Sequence, residues 1–211
     1  MNLLAHRGLW KLPEDKNSLH ALSAAFKLGI GIETDIRDCD GTLVVSHDPP
    51  LSSNSLRLDV LLEAYSEQHA QSVLALNIKS DGLHPSLLSA IERHNIKNYF
   101  IFDMSIPDTL GYLRLKMPCA ARISEYEPNS ALAKNATWIW LDSFYSEWFD
   151  ISLIQSWLVE GKRVAVVSPE LHHRPYLPLW RKLKSLHDQS QVFLCTDFVM
   201  EAQEFFDEDK N

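Results

Sequence analysis

The sequence predicts an α/β protein of the (β/α)8 TIM-barrel class, folded as a single domain over residues 1–211. Short apolar and β-branched runs alternate with amphipathic segments along the whole chain, and no Gly/Ser-rich or Pro-rich linker divides it. Most runs stay apolar until their last residues, which is typical of parallel strands covered on both faces. A doubly wound open sheet has the same local pattern and is the structural alternative.

Eight segments have the length and composition of strands. In chain order they are residues 3–6, 31–36, 73–79, 99–103, 119–123, 137–142, 163–168 and 192–197. Each is short, and aromatic or β-branched residues dominate most of them, as expected for the inner sheet of a barrel.

Helices are predicted between these strands. The segment 17–29 places Leu19, Leu22 and Phe26 on one face, begins at an Asn17/Ser18 cap and stops at Gly29. The same criteria predict helices over residues 56–68, 84–95, 106–116, 150–161 and 201–210.

Polar side chains cluster near the carboxyl ends of the predicted strands. They are His6, Arg7, Glu33, Asp35, Lys79, Asp103, Arg122, Asp142 and Asp197. In (β/α)8 barrels this end of the strands carries the chemistry. We therefore expect the opening stretch LLAHRG to be a barrel strand that brings His6 and Arg7 to a functional site.

Composition excludes several classes of protein. The formal net charge is -8, which argues against a nucleic-acid partner for the surface as a whole. The N-terminus does not resemble a secretory signal, and no apolar run is long enough to span a membrane. The three cysteines, Cys39, Cys119 and Cys195, are isolated, which is typical of reduced thiols in a cytoplasmic protein.

Glu33 and Asp35 are the first candidates for metal ligands. They lie two residues apart on a predicted strand, so their carboxylates point to the same side. Two carboxylates facing together repel unless a positive charge lies between them, and a hard divalent cation is a common solution. The alternative is a solvated strand end with a salt bridge.

His47 is expected to reach the same strand end through a hairpin. Asp40 and Gly41 form a turn sequence, and an alternating run follows that ends in His47 and Asp48. Asp48 is placed to orient a nitrogen of the imidazole ring. A chance His-Asp pair on the surface is the alternative.

Lys79 completes a set of groups suited to phosphate. It follows Asn77 by two positions, and both belong to one side of a predicted strand. A lysine there is either a snorkelling edge residue or a point charge for a phosphoryl oxygen beside Arg7. Together with two histidines and two carboxylates, these cations indicate metal-assisted phosphoryl chemistry with the imidazoles as base and acid.

These segments resemble the glycerophosphodiester phosphodiesterase family of phospholipase-C-like barrels. The resemblance rests on AHRG at 5–8, PE at 13–14, NSLHALSAAFKLG at 17–29 and GIETDIRDCDGTLVVSHD at 31–48. It continues more weakly in LNIK at 76–79 and in FLCTDF at 193–198. It therefore covers the whole chain, with its specificity concentrated in the first quarter.

The resemblance implies a (β/α)8 barrel that hydrolyses a phosphodiester with Mg²⁺ or Ca²⁺. By position, His6 and His47 would be the acid/base pair. Glu33 and Asp35 would bind the divalent metal, and Arg7 and Lys79 would hold the phosphate. In such enzymes a substrate hydroxyl next to the diester often attacks first and gives a cyclic phosphate.

The chain departs from the family pattern in three places. Asn77 stands where the family usually has an acidic metal ligand; an amide oxygen still coordinates hard cations, but with less charge. About 25 residues separate His47 from the third predicted strand, so the usual extra subdomain is missing. Asp15 and Lys16 separate Glu14 from Asn17, which the family often joins directly, and this leaves the roles of Glu14 and Asn17 open.

We thus expect a cytoplasmic, metal-dependent phosphoric diester hydrolase acting on a small soluble glycerophosphodiester or a related diester. The expected ligands of the metal are Glu33, Asp35 and Asn77. No nucleic-acid partner and no stable membrane insertion are expected. The alternatives are a catalytically weak or silent barrel that binds a phosphorylated ligand, and a lyase that releases a cyclic phosphate.

The segment TWIWLDSFYSEW, residues 137–148, carries a group of aromatic residues with two interpretations. Trp138 and Trp140 either pack in the barrel wall, or one or more of the aromatics in this segment line a pocket for the leaving group. His172 and His173 follow the seventh predicted strand, so one of them is a further candidate for the rim of a pocket.

Overall fold

The computed structural model describes residues 1–50, 55–68, 70–128 and 130–207. The strands are β1 (Asn2–His6), β2 (Gly31–Cys39), β3 (Thr42–Val45), β4 (Leu56–Arg57), β5 (Leu74–Ile78), β6 (Tyr99–Phe102), β7 (Ala120–Ile123), β8 (Trp138–Leu141), β9 (Arg163–Val167) and β10 (Val192–Thr196). The helices are α1 (Leu19–Lys27), α2 (Leu58–Glu67), α3 (His84–Arg93), α4 (Ile106–Arg114), α5 (Ile151–Val159), α6 (Leu177–Leu183) and α7 (Val199–Asp207). Short 3-10 helices cover Pro13–Asp15, Ala131–Lys134, Pro169–His172 and Lys184–Leu186.

The eight predicted strands are present, with ends that move by a few residues. Ser18 caps α1 as expected, because its side chain accepts a hydrogen bond from the Ala21 amide at 3.2 Å. The Asp40-Gly41 turn joins β2 to β3 as an antiparallel hairpin, which confirms the predicted excursion toward His47. These elements follow local sequence rules, so the sequence alone locates them.

Three elements differ from the sequence prediction. The helix predicted from residue 56 begins at Leu58, because Leu56 and Arg57 pair with β3 as the short strand β4. α6 was missed because its sequence contains Pro178, which is tolerated in the first turn of a helix, where no backbone hydrogen bond is lost. α7 begins two residues before the prediction, and residues 208–210 of the predicted helix lie outside the described residues.

The chain divides into two compact units, one of His6–Cys119 and one of Met1–Ala5 with the segment from Ala120 onward. In the unit His6–Cys119, β2 pairs with β5 in parallel, and β5 pairs with β6 in parallel. The register places Asp35 beside Asn77 and Asn77 beside Phe102. Asp35 and Asn77 therefore lie side by side, level with the last residue of β6, which Asp103 follows.

The other unit contains only parallel pairs among its described strands. β1 pairs with β10, β10 with β9, β9 with β8 and β8 with β7. Trp180 of α6 is fully buried, and its indole N–H donates at 2.8 Å to Oγ of Ser168, the residue after β9. Burial of Trp138 and Trp140 in β8 supports their interpretation as packing residues.

Within the described segments, no helix is long and apolar enough to cross a bilayer.

Candidate active site

The turn after β1 is held in an unusual backbone conformation that aims Arg7. Arg7 has φ +59° and Gly8 has φ +89°, so both lie in the left-handed region. A side chain on Gly8 would place its Cβ 2.6 Å from the Ala21 carbonyl carbon, so α1 packs against the bare backbone. Non-glycine residues in this region cost free energy and are found at functional sites, which makes Arg7 a candidate on backbone grounds.

Hydrogen bonds on both sides hold Arg7 in this conformation. Its amide donates to the Glu33 carbonyl at 2.9 Å, and its carbonyl accepts from the Asn17 amide at 2.9 Å. The bond to the Glu33 carbonyl attaches the turn at Arg7 to β2. The bond from the Asn17 amide attaches the same turn to the segment before α1. The AHRG sequence therefore delivers a positioned guanidinium to Asp35, in the middle of β2.

Asp35 is the acceptor at the centre of the site. It is fully buried, and Arg7 Nε lies 2.9 Å from its Oδ2 as an ion pair whose N–H is not aligned for a hydrogen bond. Asn17 Nδ2 donates to the same oxygen at 2.8 Å, and Lys79 Nζ lies 3.4 Å from Oδ1. A buried carboxylate is stable only with such partners.

Glu33 occupies the same face of β2, two residues before Asp35. Its side chain is 2 % exposed, and His6 Nε2 lies 3.8 Å from its Oε2. Burial, and next the negative charge of Asp35, raise the pKa of the Glu33 carboxyl from 4.5 to about 7. The charges of His6, Arg7 and Lys79 lower it by less.

Three buried oxygens of this face have no hydrogen-bond partner. They are Glu33 Oε2, Asp35 Oδ1 and Asn77 Oδ1. Buried acceptors without donors are rare and costly, and a group of oxygens is what Mg²⁺ and Ca²⁺ prefer as ligands. The described residues contain no group of three or more His, Cys, Asp or Glu side chains that could hold a metal ion, and the set at this site is two carboxylates and one amide. The residues present fit a divalent cation.

Lys79 lies between two carboxylates. Its Nζ is 3.4 Å from Asp35 Oδ1 and 3.6 Å from Asp103 Oδ2. Asp103 follows β6 with φ +71°, a conformation that a strand end does not require. The position of Asp103 at a strand end was visible in the sequence, but its pairing with Lys79 was not.

The backbone brings His47 to this strand end. The Ser46 amide donates to the Asp35 carbonyl at 3.0 Å, so the residue that follows Ser46 starts beside the acidic pair. The His47 side chain is 46 % exposed, and its Nδ1 contacts Asp48 Oδ1 at 2.9 Å. The other predicted site residues contact or adjoin one another through strand register or side-chain contacts; they are His6, Arg7, Glu33, Asp35, Asn77 and Lys79. The His47 side chain, in contrast, contacts Asp48, its neighbour in the sequence.

Asn17 is a site residue that the sequence left undecided. Its Nδ2 donates to Asp35, and its Oδ1 accepts from Thr34 Oγ1 at 2.8 Å. The two residues inserted after Glu14 are absorbed by the 3-10 helix Pro13–Asp15 and the turn that follows, while Glu14 itself is exposed. Asn17 has φ +61°, a conformation that asparagine tolerates better than most residues. The presence of an asparagine at this position was the available indication in the sequence.

The strand ends of the other unit hold a second histidine–aspartate pair. His172 Nε2 contacts Asp142 Oδ1 at 2.7 Å, and Trp148 Nε1 donates to the Asp142 carbonyl at 2.8 Å. The sequence predicted Asp142 at the end of a strand and proposed His172 or His173 as a rim residue. The structure selects His172 as the partner of Asp142.

Comparison with solved structures identifies the fold. A phosphodiesterase from Oleispira antarctica, in complex with the product sn-glycerol-3-phosphate, is 16% identical with a TM-score of 0.70, over 99% of this chain and 97% of that chain. A glycerophosphodiester phosphodiesterase from Agrobacterium tumefaciens is 15% identical with a TM-score of 0.70, over 98% of both chains. The chain has the fold of the glycerophosphodiester phosphodiesterases. The predicted fold class, a (β/α)8 barrel, is confirmed.

The same fold occurs in a Ca²⁺-dependent phosphatidylinositol-specific phospholipase C from Streptomyces antibioticus. That enzyme is 11% identical with a TM-score of 0.59, over 97% of this chain and 95% of that chain. No protein-family model and no curated sequence matches the chain. At these identities the likeness concerns the fold, and the reaction must be argued from the side chains.

Proposed function

We propose that this protein is a metal-dependent phosphoric diester hydrolase that acts on a small soluble glycerophosphodiester or a related diester. The observation that carries the proposal is the set of three buried oxygens, on Glu33, Asp35 and Asn77, that accept no hydrogen bond. Two cations, Arg7 and Lys79, lie at the edge of the same set. A site with ligand oxygens for a cation and with two fixed positive charges suits a phosphate ester.

The cations hold the phosphate. Arg7 offers a planar fork of donors for two phosphoryl oxygens, and Lys79 offers a point charge. Asp35 holds both cations in place before the substrate arrives, and Asp103 contacts Lys79 on its other side. Glu33, Asp35 and Asn77 would hold a divalent cation, which would supply further charge stabilisation for the phosphoryl group.

The two imidazoles move the protons. One of His6 and His47 accepts the proton of the attacking hydroxyl, from water or from the substrate, as its oxygen bonds to phosphorus. The bond from phosphorus to the leaving alcohol breaks, and the other imidazole donates a proton to that oxygen. Asp48 at 2.9 Å orients the His47 ring.

The expected product is a phosphate monoester. The Oleispira phosphodiesterase binds sn-glycerol-3-phosphate as its product, and this supports a glycerol phosphate ester as one half of the substrate. The segment between β3 and β5 contains β4 and α2, with no added subdomain in its described part. The leaving alcohol therefore need not match those of family members that enclose it with an extra subdomain.

We also place the protein in the cytoplasm and assign it no nucleic-acid partner. Cys39, Cys119 and Cys195 form no disulfide bond in the described part of the chain, as expected in a reducing compartment. The net charge of -8 opposes binding to a polyanion outside the local cationic site.

Phosphorus NMR of the protein with a panel of diesters tests the function. The panel contains glycerophosphodiesters, lysophospholipids, nucleotide-linked glycerols and glycerophosphorylated sugars, each with Mg²⁺, Ca²⁺ or a chelator. We expect a metal-dependent monoester signal, and a loss of about 10²-fold or more in kcat/KM for His6→Ala and for His47→Ala. His20→Ala, on the exposed face of α1, is the matched control and should keep full activity.

The outcomes separate the alternatives. A cyclic phosphate without further hydrolysis identifies a lyase. Binding without turnover identifies a silent barrel, and Asn77→Glu then tests whether the missing carboxylate is the cause. Full activity in both histidine variants contradicts the assignment of the catalytic pair.

A further inference from the structure

A cavity lies on the unit His6–Cys119, lined by residues other than those of the candidate active site. It has a volume of about 440 Å³ and is formed by the β2–β3 turn, the start of α2 and one face of α3. The polar side chains of its lining are Thr42, Arg57, Asp59, Ser86, Ser89 and Arg93. Leu58 and Ala90, both buried, provide apolar lining.

The α3 side of the cavity follows from helix periodicity. Ser86, Ser89 and Arg93 are three and four residues apart, so they share one face of α3 with Ala90. Two hydroxyls and one guanidinium are thus presented in a row along the cavity. Arg57 and Thr42 belong to β4 and β3, the strands of the neighbouring hairpin.

Positive charge in this lining exceeds negative charge. Among the described lining residues the one carboxylate is that of Asp59, and its Oδ1 contacts Arg93 Nη1 at 2.7 Å and His94 Nε2 at 3.1 Å. Arg57 Nη2 is 3.6 Å from the other oxygen, a loose contact for an exposed pair. Two guanidinium groups therefore share one carboxylate, and donors of both groups remain for another acceptor.

The two guanidinium groups meet at the same carboxylate. Each contacts a different oxygen of Asp59, and both line the cavity. Arginine forks match the geometry of phosphate oxygens, and serine or threonine hydroxyls supply further donors. The volume is that of a small-molecule site and exceeds what one phosphate group fills.

We propose that this cavity, defined by Arg57, Arg93, Ser86, Ser89 and Thr42, is a second anion site that binds a phosphate group. The ligand is inorganic phosphate or a small phosphate monoester. The site is independent of the diesterase chemistry, because it shares no residue with the set around Asp35.

An NMR titration with inorganic phosphate tests the site at constant ionic strength, with chloride as the reference anion. We expect saturable amide shifts at Thr42, Ser86 and Ser89. The apparent Kd should rise about tenfold or more in the Arg57→Gln/Arg93→Gln double variant, as expected for the loss of charged hydrogen bonds. Arg114→Gln is the matched control, since Arg114 is exposed and its Nε donates to the Leu110 carbonyl of its own helix.

Three further arms complete the experiment. Lys79→Met removes a cation of the candidate active site and should leave the shifts at Ser86 and Ser89 unchanged. If the double variant does not fold, Arg57→Gln alone replaces it, because the Arg57 contact with Asp59 is the looser one. Tighter binding of sn-glycerol-3-phosphate than of inorganic phosphate identifies a monoester as the ligand. Absence of saturable shifts, or equal Kd values in wild type and double variant, overturns the proposal.

Discussion

Glu33→Gln should change how the stability of the metal-free protein depends on pH. In the folded protein the pKa of Glu33 is raised from 4.5 to about 7, chiefly by burial. Between these values the folded state keeps a proton that the unfolded state has lost. The free energy of unfolding of wild type therefore falls as the pH rises from about 4.5 to about 7.

The structure sets the size of this effect. An increase in the Glu33 pKa of this size corresponds to about 3 kcal/mol of stability lost above pH 7. Because the Glu33 side chain is 2 % exposed, solvent screening reduces this effect little. Glutamine has the same shape and no ionisation. The variant should lose this part of the pH dependence and become the more stable protein at pH 8.

Urea unfolding followed by tryptophan fluorescence, at pH 5, 6, 7 and 8 in the presence of a chelator, measures the effect. Groups other than Glu33 titrate in both proteins, so the difference between the two curves isolates Glu33. Glu63→Gln, exposed on α2, is the control and should parallel wild type. If Glu33→Gln also parallels wild type between pH 5 and 8, Glu33 does not retain its proton and the electrostatic reasoning fails. Because a bound cation favours the ionised carboxylate, Ca²⁺ should restore wild-type stability at pH 8.

Three further outcomes are expected. Gly8→Ala should lower the free energy of unfolding by about 2–4 kcal/mol in the same urea assay, because the added Cβ would lie 2.6 Å from the Ala21 backbone at a positive φ. An unchanged urea midpoint would contradict the close approach of α1 to Gly8. Asn17→Ala should cost about 2 kcal/mol through the hydrogen bond lost at buried Asp35, again by urea unfolding, and a cost below measurement error would mean that this bond is not formed. Asn77→Glu should tighten Mg²⁺ or Ca²⁺ binding about tenfold by calorimetry, since it adds ligand charge, and unchanged affinity would exclude residue 77 as a ligand.

Much of the architecture could be predicted because it depends on local rules. Parallel strands buried on both faces are apolar throughout, so β5, β9 and β10 are recognisable without knowledge of their neighbours. The Asp40-Gly41 turn and the Ser18 cap are chemical requirements of a hairpin and of a helix start. α6 was missed because Pro178 weakens its helical pattern, although the first turn of a helix tolerates proline.

The candidate site also has features that local spacing predicts and features that depend on the tertiary fold. The spacing of Glu33 and Asp35 places both carboxylates on one face of any strand, whatever the tertiary fold. The partners of those carboxylates come from distant segments of the chain. Asn17 contacts Asp35 from 18 positions away, and Lys79 lies between Asp35 and Asp103 only because β2, β5 and β6 are neighbours.

The sequence by itself determined the alternation of elements, the pair of carboxylates on β2 and the polar residues at the strand ends, because these depend on short-range spacing. The tertiary structure decided which charges meet. It paired Arg7 and Lys79 with Asp35, left three buried oxygens without a hydrogen bond, and raised the pKa of Glu33. It also brought Arg57 and Arg93, 36 positions apart, to one carboxylate. Burial and charge proximity are properties of packing between distant segments, so no local pattern in the sequence encodes them.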